Sequence, residues 1–237
     1  MPDRVVLSGL PLCTHRRCPI RARFVERPHR FAAVVSLSGG RRAEAHLPNP
    51  GRLTGVLSDG CQTLLDGPFL PPRVLAYTMV AARQSGVWIG TNTTYANRVF
   101  PALLAGGLFP ELDALPPRAE VRHGRSRFDF QVGPTLVEVK SVTLAQGRRG
   151  LFPDAVTARG ARHCDELRQL AIQGTPTAIV FVAQRGDVES VEPEDDVDPV
   201  FGRSLRAAAR AGVRVMACAL ELRPDGASEA RRIPVRL

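Results

Sequence analysis

The residues best suited to chemistry in this chain are Asp129, Glu138 and Lys140. Lys140 is the only lysine, although lysine and arginine together account for 32 of the 237 residues. An ammonium group is a compact charge that can shift its pKa, whereas a guanidinium group is broad, planar and always charged. Lys140 is therefore a candidate for a site that needs a small point charge beside a reacting group. The alternative is codon usage that left one lysine on a solvated strand.

The segments that carry these residues have the pattern of a tight hairpin. Residues 127–132 alternate in polarity, which predicts a half-buried strand with Asp129 on its polar face. The apolar face of this strand would consist of Phe128, Phe130 and Val132. If Gly133-Pro134 is a two-residue turn, Asp129 lies across from Glu138, and Lys140 shares the face of Glu138.

Two carboxylates in this arrangement favour a metal site. Directly opposed residues on a hairpin have Cβ atoms about 4.5–5.5 Å apart, and like charges there are destabilising. A divalent cation between Asp129 and Glu138 would relieve the repulsion, and Mg²⁺ or Mn²⁺ takes carboxylate oxygens while keeping waters for a phosphate. Lys140 would then reach the water or the phosphate. The spacing alone arises easily by chance, so the prediction depends on its agreement with the single lysine and the charge distribution.

The positive charge of the chain is concentrated in its N-terminal part. The net charge is +9, and residues 21–100 contain ten arginines against four acidic residues, whereas residues 101–237 are nearly balanced. A basic surface of this kind favours a polyanionic partner, and nucleic acid is the commonest one. An arginine-rich surface without a partner is the alternative.

Composition and length exclude several classes of protein. The hydrophobic content is 44%, no run approaches the roughly 20 apolar residues of a membrane span, and no signal-peptide stretch begins the chain. Five cysteines without regular spacing do not indicate a disulfide framework. We therefore expect a cytoplasmic protein without membrane contact. The oligomeric state stays open, and a homodimer is compatible with the sequence.

The spacing of strands and helices predicts two domains of α/β class overall. About five short strands between residues 21 and 96 favour a small β-barrel. Residues 97–237 alternate strands with helices at 157–173 and 201–211, which favours an α/β domain with a mixed central sheet. Residues 1–20 are expected to be a flexible leader. The acidic stretch 187–198 is typical of a solvated loop.

Several other residues are candidates for nucleic-acid contacts. The rigid loop Pro48-Asn49-Pro50-Gly51-Arg52 could direct Asn49 and Arg52 at a phosphate. Arg159 and His163 are four residues apart and share one helix face, which could contact a nucleic-acid backbone, although a plain solvated face is slightly favoured. Arg30 could follow a strand of nucleic acid on the barrel. Trp88 has core-like neighbours.

The chain resembles the sugar fermentation stimulation protein A family from about residue 23 to 237. The residues that carry the resemblance are Arg27-Pro28-His29-Arg30-Phe31, His46-Leu47-Pro48-Asn49-Pro50-Gly51-Arg52-Leu53, Asn97-Arg98, Ser126-Arg127-Phe128-Asp129-Phe130, Val137-Glu138-Val139-Lys140-Ser141-Val142-Thr143-Leu144 and Phe152-Pro153-Asp154-Ala155-Val156-Thr157-Ala158-Arg159-Gly160. Asp129 with Glu138-Val139-Lys140 is also similar to the core of PD-(D/E)xK nucleases.

The resemblance implies an N-terminal OB-fold domain that binds DNA and a C-terminal PD-(D/E)xK nuclease-like domain. The family resemblance argues less for activity than for fold, and it implies DNA binding largely without sequence preference. The arrangement of Asp129, Glu138 and Lys140 leads to the hypothesis of Mg²⁺- or Mn²⁺-dependent phosphodiester hydrolysis; a DNA-binding regulatory protein without catalysis is the alternative. The catalytic candidates are Asp129, Glu138, Lys140 and Gln184. The metal-ligand candidates are Asp129, Glu138, the Val139 carbonyl and Glu120. The nucleic-acid candidates are Arg30, Asn49, Arg52, Arg98, Arg127, Arg159, His163 and Arg185.

Overall fold

A computed structural model describes residues 3–7, 10–15, 19–112, 116–124 and 126–237. These residues form sixteen strands and three α-helices. The strands are β1 (Arg4–Val6), β2 (Ile20–His29), β3 (Ala32–Ser36), β4 (Arg42–His46), β5 (Gln62–Asp66), β6 (Tyr77–Gln84), β7 (Val87–Gly90), β8 (Arg118–His123), β9 (Ser126–Val132), β10 (Thr135–Val142), β11 (Leu144–Gln146), β12 (Arg149–Phe152), β13 (Thr177–Ala183), β14 (Ser190–Pro193), β15 (Arg214–Arg223) and β16 (Gly226–Ile233). The helices are α1 (Thr94–Ala105), α2 (Ala158–Ile172) and α3 (Pro199–Arg210).

The N-terminal strands close into a five-stranded barrel. The strand order is β4-β3-β2-β5-β6, and β4 pairs in parallel with β6 to complete the circle. The alternation of small and large apolar residues fills the interior, for example with Phe24, Val35 and Met79. Strand β7 extends the sheet beyond β6. The predicted OB-like barrel is confirmed.

The C-terminal part is built around a mixed seven-stranded sheet. Its order is β1-β16-β15-β13-β10-β9-β8, in which β10, β13 and β15 are parallel and the outer pairs are antiparallel. The central strand β13 is buried along its whole length, because both faces of the sheet are covered. Helix α1 packs on one face, and α2 and α3 pack on the other. The predicted α/β class with a mixed sheet is confirmed.

The helices begin and end close to the predicted positions. The Thr157 hydroxyl accepts a hydrogen bond from the Gly160 N–H at the start of α2, and the Asp198 carboxylate accepts one from the Phe201 N–H at the start of α3. These N-caps satisfy amide groups that the first helical turn leaves free. Helix α1 starts at Thr94, shortly after β7.

The described residues of the predicted leader are part of the fold, so the expectation of a flexible leader is wrong for them. Strand β1 pairs with β16 at the edge of the seven-stranded sheet. Leu7 and Leu12 are buried in the core under α1. The backbone N–H groups of Thr14 and His15 donate to the Asp66 carboxylate at the end of β5. The described residues 3–7 and 10–15 thus contact both the edge of the sheet and the barrel. Their partners lie far away in the sequence, so local sequence patterns do not reveal these contacts.

The acidic stretch is more structured than the predicted solvated loop. It contains β14, which forms a three-stranded sheet with β12 and β11. Asp187 forms a two-bond ion pair with Arg185, Asp195 pairs with Arg206, and Asp198 caps α3. These carboxylates therefore stabilise the local fold.

Candidate active site

The hairpin that carries the three chemical residues has the predicted register. Strands β9 and β10 pair Val132 with Thr135, Gln131 with Leu136 and Phe130 with Val137. This register requires the two-residue turn at Gly133-Pro134, where Gly133 takes a φ of +55°. Glu138 and Lys140 follow directly on β10, and both face the layer of α2.

Strand β9 is irregular at Asp129. Phe130 packs on the α1 side of the sheet and Phe128 on the α2 side, so the prediction that they share a face is wrong. The ladder with β10 ends at Phe130, and Glu120, which occupies the matching position on β8, has a φ of +58°. Because the pairing is irregular here, the direction of the Asp129 side chain does not follow from the alternation of residues along β9.

The carboxylate of Asp129 is held by two elements. Its Oδ2 accepts a hydrogen bond of 2.8 Å from the Val139 N–H on β10, and its Oδ1 accepts one of 2.9 Å from the Asn97 side-chain amide on α1. The carboxylate therefore occupies the position beside β10 where the ladder stops. Sequence reasoning did not assign a role to Asn97 beyond its place in a family motif.

Glu138 is the centre of a buried cluster. Its side chain is 6% exposed, and its Oε1 lies 2.5 Å from Lys140 Nζ and 2.5 Å from His163 Nδ1. The outer ring nitrogen of His163 accepts from Arg159 Nε at 3.4 Å, which assigns the ring proton to Nδ1 and makes His163 the donor to Glu138. The second oxygen, Oε2, is buried without a hydrogen-bond partner among the described residues.

The two carboxylates have opposite pKa shifts. Burial and the neighbouring charge of Glu138 raise the pKa of Asp129, although the bonds from Val139 and Asn97 oppose this. Burial alone would also raise the pKa of Glu138, but the His163 hydrogen bond and the charge of Lys140 outweigh it and hold that pKa below its ordinary value. Two acids pushed apart in this way are typical of a functional site.

The donors fit a hard divalent cation that keeps part of its water shell. No group of three or more histidine, cysteine, aspartate or glutamate side chains in the described ranges is arranged to hold a metal. Magnesium commonly uses only one or two carboxylates together with water and substrate phosphate. Asp129 and the unpartnered Oε2 of Glu138 match that requirement.

Both parts of the chain match known family models. Residues 25–91 match the SfsA N-terminal OB domain, and residues 94–226 match the sugar fermentation stimulation protein RE domain. The chain belongs to the sugar fermentation stimulation protein family. The resemblance to this family, inferred from the sequence, is thereby confirmed.

Relatives of this family are similar over nearly the whole chain. A sugar fermentation stimulation protein homolog of Symbiobacterium thermophilum is 38% identical, with 92% of this chain and 95% of the relative covered. The homolog of Geobacter sulfurreducens is 41% identical, with 89% and 93% covered. The structure of Pyrococcus furiosus SfsA in complex with Ca²⁺ has a TM-score of 0.86 and 26% identity, with 96% of this chain and 99% of that chain covered.

Four of the predicted nucleic-acid residues are exposed. Arg30 and Arg52 lie on barrel loops, and the guanidinium of Arg30 lies 5.8 Å from the exposed ring of Phe31. Arg159 lies on α2, beside His163. Arg127 is exposed at the sheet edge, where it pairs with Glu120. These four stay candidates for phosphate contacts.

The other four are engaged in internal contacts, which argues against the predicted role. Asn49 is buried, and its side-chain oxygen accepts from the Gly51 N–H. Arg98 donates to the carbonyl groups of Pro11 and Leu12, and Arg185 is buried and bonded to Asp187 and Thr143. His163 is buried on Glu138, not solvated on the helix surface.

Two further candidates are placed differently from expectation. Glu120 is exposed, and the contact that the structure gives it is the ion pair with Arg127, which argues against the predicted role as a metal ligand. Gln184 is fully buried, and its amide donates to the Asn92 carbonyl and the Ser141 hydroxyl. Gln184 thus links the segment after β7 to Ser141, the residue that follows Lys140 on β10, and these internal contacts argue against the predicted catalytic role.

Asp154 is a junction residue that the sequence reasoning missed. Its carboxylate accepts from the Leu53 N–H at 3.2 Å and lies within 2.1 Å of the place where a side chain on Gly51 would begin. Burial raises the pKa of Asp154, while the bond from Leu53 and the charges of Arg27 and Arg52 oppose the shift. The loop 48–53 is therefore seated on the C-terminal part of the chain. The only sequence signal for this contact was that the loop 48–53 and the segment that contains Asp154 both belong to the motifs that carry the family resemblance.

Proposed function

We propose that the protein binds DNA and hydrolyses its phosphodiester bonds with the help of Mg²⁺ or Mn²⁺. The observation that carries this proposal is the cluster of Asp129, Glu138 and Lys140. Two carboxylates interact there, a buried one on Glu138 and a half-buried one on Asp129. That of Glu138 has an unpartnered oxygen, and the single lysine of the chain lies beside them. An unpaired buried carboxylate oxygen is costly unless a cation or a ligand compensates it.

Each side chain has a distinct part in this proposal. Asp129 and Glu138 would hold the cation, with the Val139 carbonyl as a further oxygen donor. The bound metal would lower the pKa of a water molecule and neutralise charge on the phosphate. Lys140, which is 12% exposed, presents its ammonium group to the same place and would stabilise the charge that develops on the phosphate oxygens. Asn97 and His163 would keep the two carboxylates oriented.

The exposed arginines near this cluster suit a nucleic-acid backbone. Arg159 donates a hydrogen bond to His163, which in turn contacts Glu138. Asp154, in the segment before α2, accepts a hydrogen bond from Leu53, the residue after Arg52. Guanidinium groups bind phosphates through two parallel hydrogen bonds. None of these contacts selects a base, so we expect binding that is largely independent of DNA sequence.

The Pyrococcus furiosus relative adds support for a cation. Its structure is described as a complex with Ca²⁺. Calcium takes oxygen ligands and often occupies magnesium sites without the same geometry. A divalent cation in this chain is consistent with that likeness.

A DNA-binding regulatory protein without relevant catalysis is the second candidate. The ion pair between Lys140 and Glu138 favours this non-catalytic function, because Oε1 of Glu138 already accepts hydrogen bonds from Lys140 and His163. A cluster whose charges compensate one another in this way could stabilise the fold without taking part in catalysis. Only a cleavage experiment separates the two functions.

The test is the cleavage of single- and double-stranded DNA with Mg²⁺ or Mn²⁺. We expect wild type to cleave, and Asp129→Ala, Lys140→Ala and Lys140→Arg to lose at least about tenfold in rate, since a broad guanidinium cannot replace the ammonium. Glu189→Gln, a surface acid paired with Arg148, is the matched control and should cleave normally. Equal cleavage by wild type and the Asp129 and Lys140 variants, or binding without any cleavage, would eliminate the catalytic function.

A further inference from the structure

The loop 48–53 of the barrel contacts the start of helix α1. The Pro48 carbonyl accepts two hydrogen bonds from Thr93, one of 3.2 Å from its N–H and one of 3.0 Å from its hydroxyl. Thr93 directly precedes α1, and Asn97 lies one turn further on the same face of the helix. Asn97 is the residue whose side-chain amide holds Asp129. The loop therefore fixes the end of the helix from which the Asp129 carboxylate is oriented.

The other end of the loop contacts the segment before helix α2. The Leu53 N–H donates to the Asp154 carboxylate at 3.2 Å, and Gly51 packs against the same carboxylate without room for a Cβ atom. Helix α2 begins shortly after Asp154 and carries His163, the donor to Glu138. The loop thus also borders the helix from which the Glu138 carboxylate is oriented.

Internal hydrogen bonds make the loop rigid between these two contacts. The Asn49 side chain accepts from the Gly51 N–H. The Arg27 guanidinium donates to the carbonyl groups of Asn49 and Arg52. Leu53 is buried in the barrel core and has a φ of +56°, a conformation that is rare for a branched side chain. A loop fixed in this way can hold the starts of α1 and α2 at a constant separation.

The separation of the two helices matters for the candidate metal ligands. The carboxylate of Asp129 receives one of its two hydrogen bonds from α1, and the carboxylate of Glu138 receives one from α2. A change in the spacing of the helices would therefore change the relative position of the two carboxylates. Groups that bind a metal or a substrate must be held to within about 0.5 Å of the productive geometry.

We infer that the loop 48–53 positions both candidate metal ligands, with Thr93 and Asp154 as the positioning residues through which it acts. The barrel thus contributes to the cation site without supplying a ligand. The inference rests on the proposed function, because it concerns the same two carboxylates. A loop that only stabilised the fold would change the free energy of unfolding but not the affinity for the cation.

The affinity of the full-length protein for Mn²⁺, measured by calorimetry, tests this role. Thr93→Val removes the hydroxyl at similar size and should weaken Mn²⁺ binding at least about threefold, less than the roughly 10–100-fold effect of a direct partner of a ligand. Thr93→Ser keeps the hydroxyl and should bind Mn²⁺ like wild type. Asp154→Ala should also weaken binding, and Asp154→Asn, which keeps an oxygen for the Leu53 N–H, should recover part of the affinity.

Thr91→Val is the matched control for the loss of a hydroxyl. The Thr91 hydroxyl donates to the Met79 carbonyl at 3.2 Å, a bond between barrel residues that involves neither the loop nor α1. This variant should lose stability towards urea but bind Mn²⁺ normally. An equal loss of Mn²⁺ affinity in Thr91→Val and Thr93→Val would assign the effect to stability and contradict the inference.

A second readout needs no cation. The side-chain amide of Asn97 gives its own NMR signals, which report on its hydrogen bond to Asp129. Thr93→Val should shift these signals, whereas Thr91→Val should not. Wild type that binds no Mn²⁺ would overturn the proposed function and the inference with it. Wild type that binds Mn²⁺, with equal affinity in Thr93→Val and Asp154→Ala, would overturn the positioning role alone.

Discussion

At the scale of single residues, His163 is the residue whose position differs most clearly from the one that the sequence pattern predicts. Its spacing from Arg159 indicates a shared helix face, but the pattern cannot tell whether that face meets solvent or the sheet. The structure shows that α2 lies over β10, so His163 contacts Glu138 and holds one oxygen of the carboxylate. A side chain that orients a candidate metal ligand is as much part of the site as the ligand itself.

His163→Ala should lower the affinity for Mn²⁺ and the cleavage rate by about 10–100-fold, because outer partners of metal ligands have effects of that size. Mn²⁺ binding measured by calorimetry gives a readout that is independent of cleavage. His163→Asn keeps a donor and should recover part of the affinity. A variant that folds and binds Mn²⁺ like wild type would show that His163 does not orient the site.

At the scale of elements, the loop 48–53 and the segment before α2 fit together through Gly51 and Asp154. Only a glycine fits at position 51, since a Cβ would overlap the Asp154 carboxylate. The loop was predicted to present Asn49 to a phosphate. Its actual role is to seat the barrel against the C-terminal part, while Arg52 stays exposed.

Gly51→Ala should destabilise the protein by about 1–3 kcal/mol, the usual cost of overpacking. Asp154→Ala removes the atoms that clash, so Gly51→Ala should cost much less in that background. Urea denaturation of the four proteins gives the coupling energy. If the two substitutions change the free energy of unfolding additively, Gly51 and Asp154 are not in the close contact described.

The contact between the N-terminal segment and Asp66 should make the stability of the protein depend on pH in the acid range. Burial opposes ionisation of Asp66, but its hydrogen bonds from Thr14, His15 and Gly67 outweigh burial and lower its pKa. A lowered pKa means that the ionised form stabilises the folded state above the unfolded value of about 3.9, and that this stability is lost as pH falls below it. Asp66→Asn should therefore be less stable than wild type at pH 7 and should lose less stability between pH 6 and pH 3. Parallel pH profiles of the two proteins would contradict this.

The sequence predicts those features that depend on local spacing. The register of β9 with β10, the helix at 158–172 and the barrel strands follow from alternation, helical periodicity and turn residues. The partners of Arg98 and Arg185 do not, because they depend on segments far away in the chain, such as the carbonyl groups of Pro11 and Leu12. The break at Asp129 was also unpredictable, since it results from the pairing of three strands.

At the scale of the whole molecule, the barrel and the seven-stranded sheet share one apolar core. Leu64, Val80 and Trp88 from the barrel pack in the same cluster as α1 and Val180 of β13. Gly90 at the end of β7 donates its N–H to the Gln184 carbonyl at 2.8 Å. The described helices include none that is long and apolar enough to cross a membrane. The barrel and the sheet are thus joined both by shared apolar packing and by a backbone hydrogen bond.

DNA affinity should fall steeply with salt, because phosphate contacts release counterions. Arg52→Ala and Arg159→Ala should each reduce the slope of log affinity against log salt by about 1. Arg206→Ala, whose side chain pairs with Asp195, is the control and should leave the slope unchanged. Fluorescence anisotropy from 50 to 300 mM KCl measures the slopes. A flat response of wild type would contradict phosphate-led binding.

The pairing of β1 with β16 also has a consequence for synthesis on the ribosome. Arg4 and Glu229 form an ion pair across 225 residues, so β1 leaves the ribosome long before its partner exists. The barrel needs no later strand and can close while translation continues, since domains generally fold from the N-terminus during synthesis. Strand β1 must wait, unpaired, until β16 emerges. The edge of the seven-stranded sheet is thus completed only when one of the earliest segments of the chain pairs with its last strand.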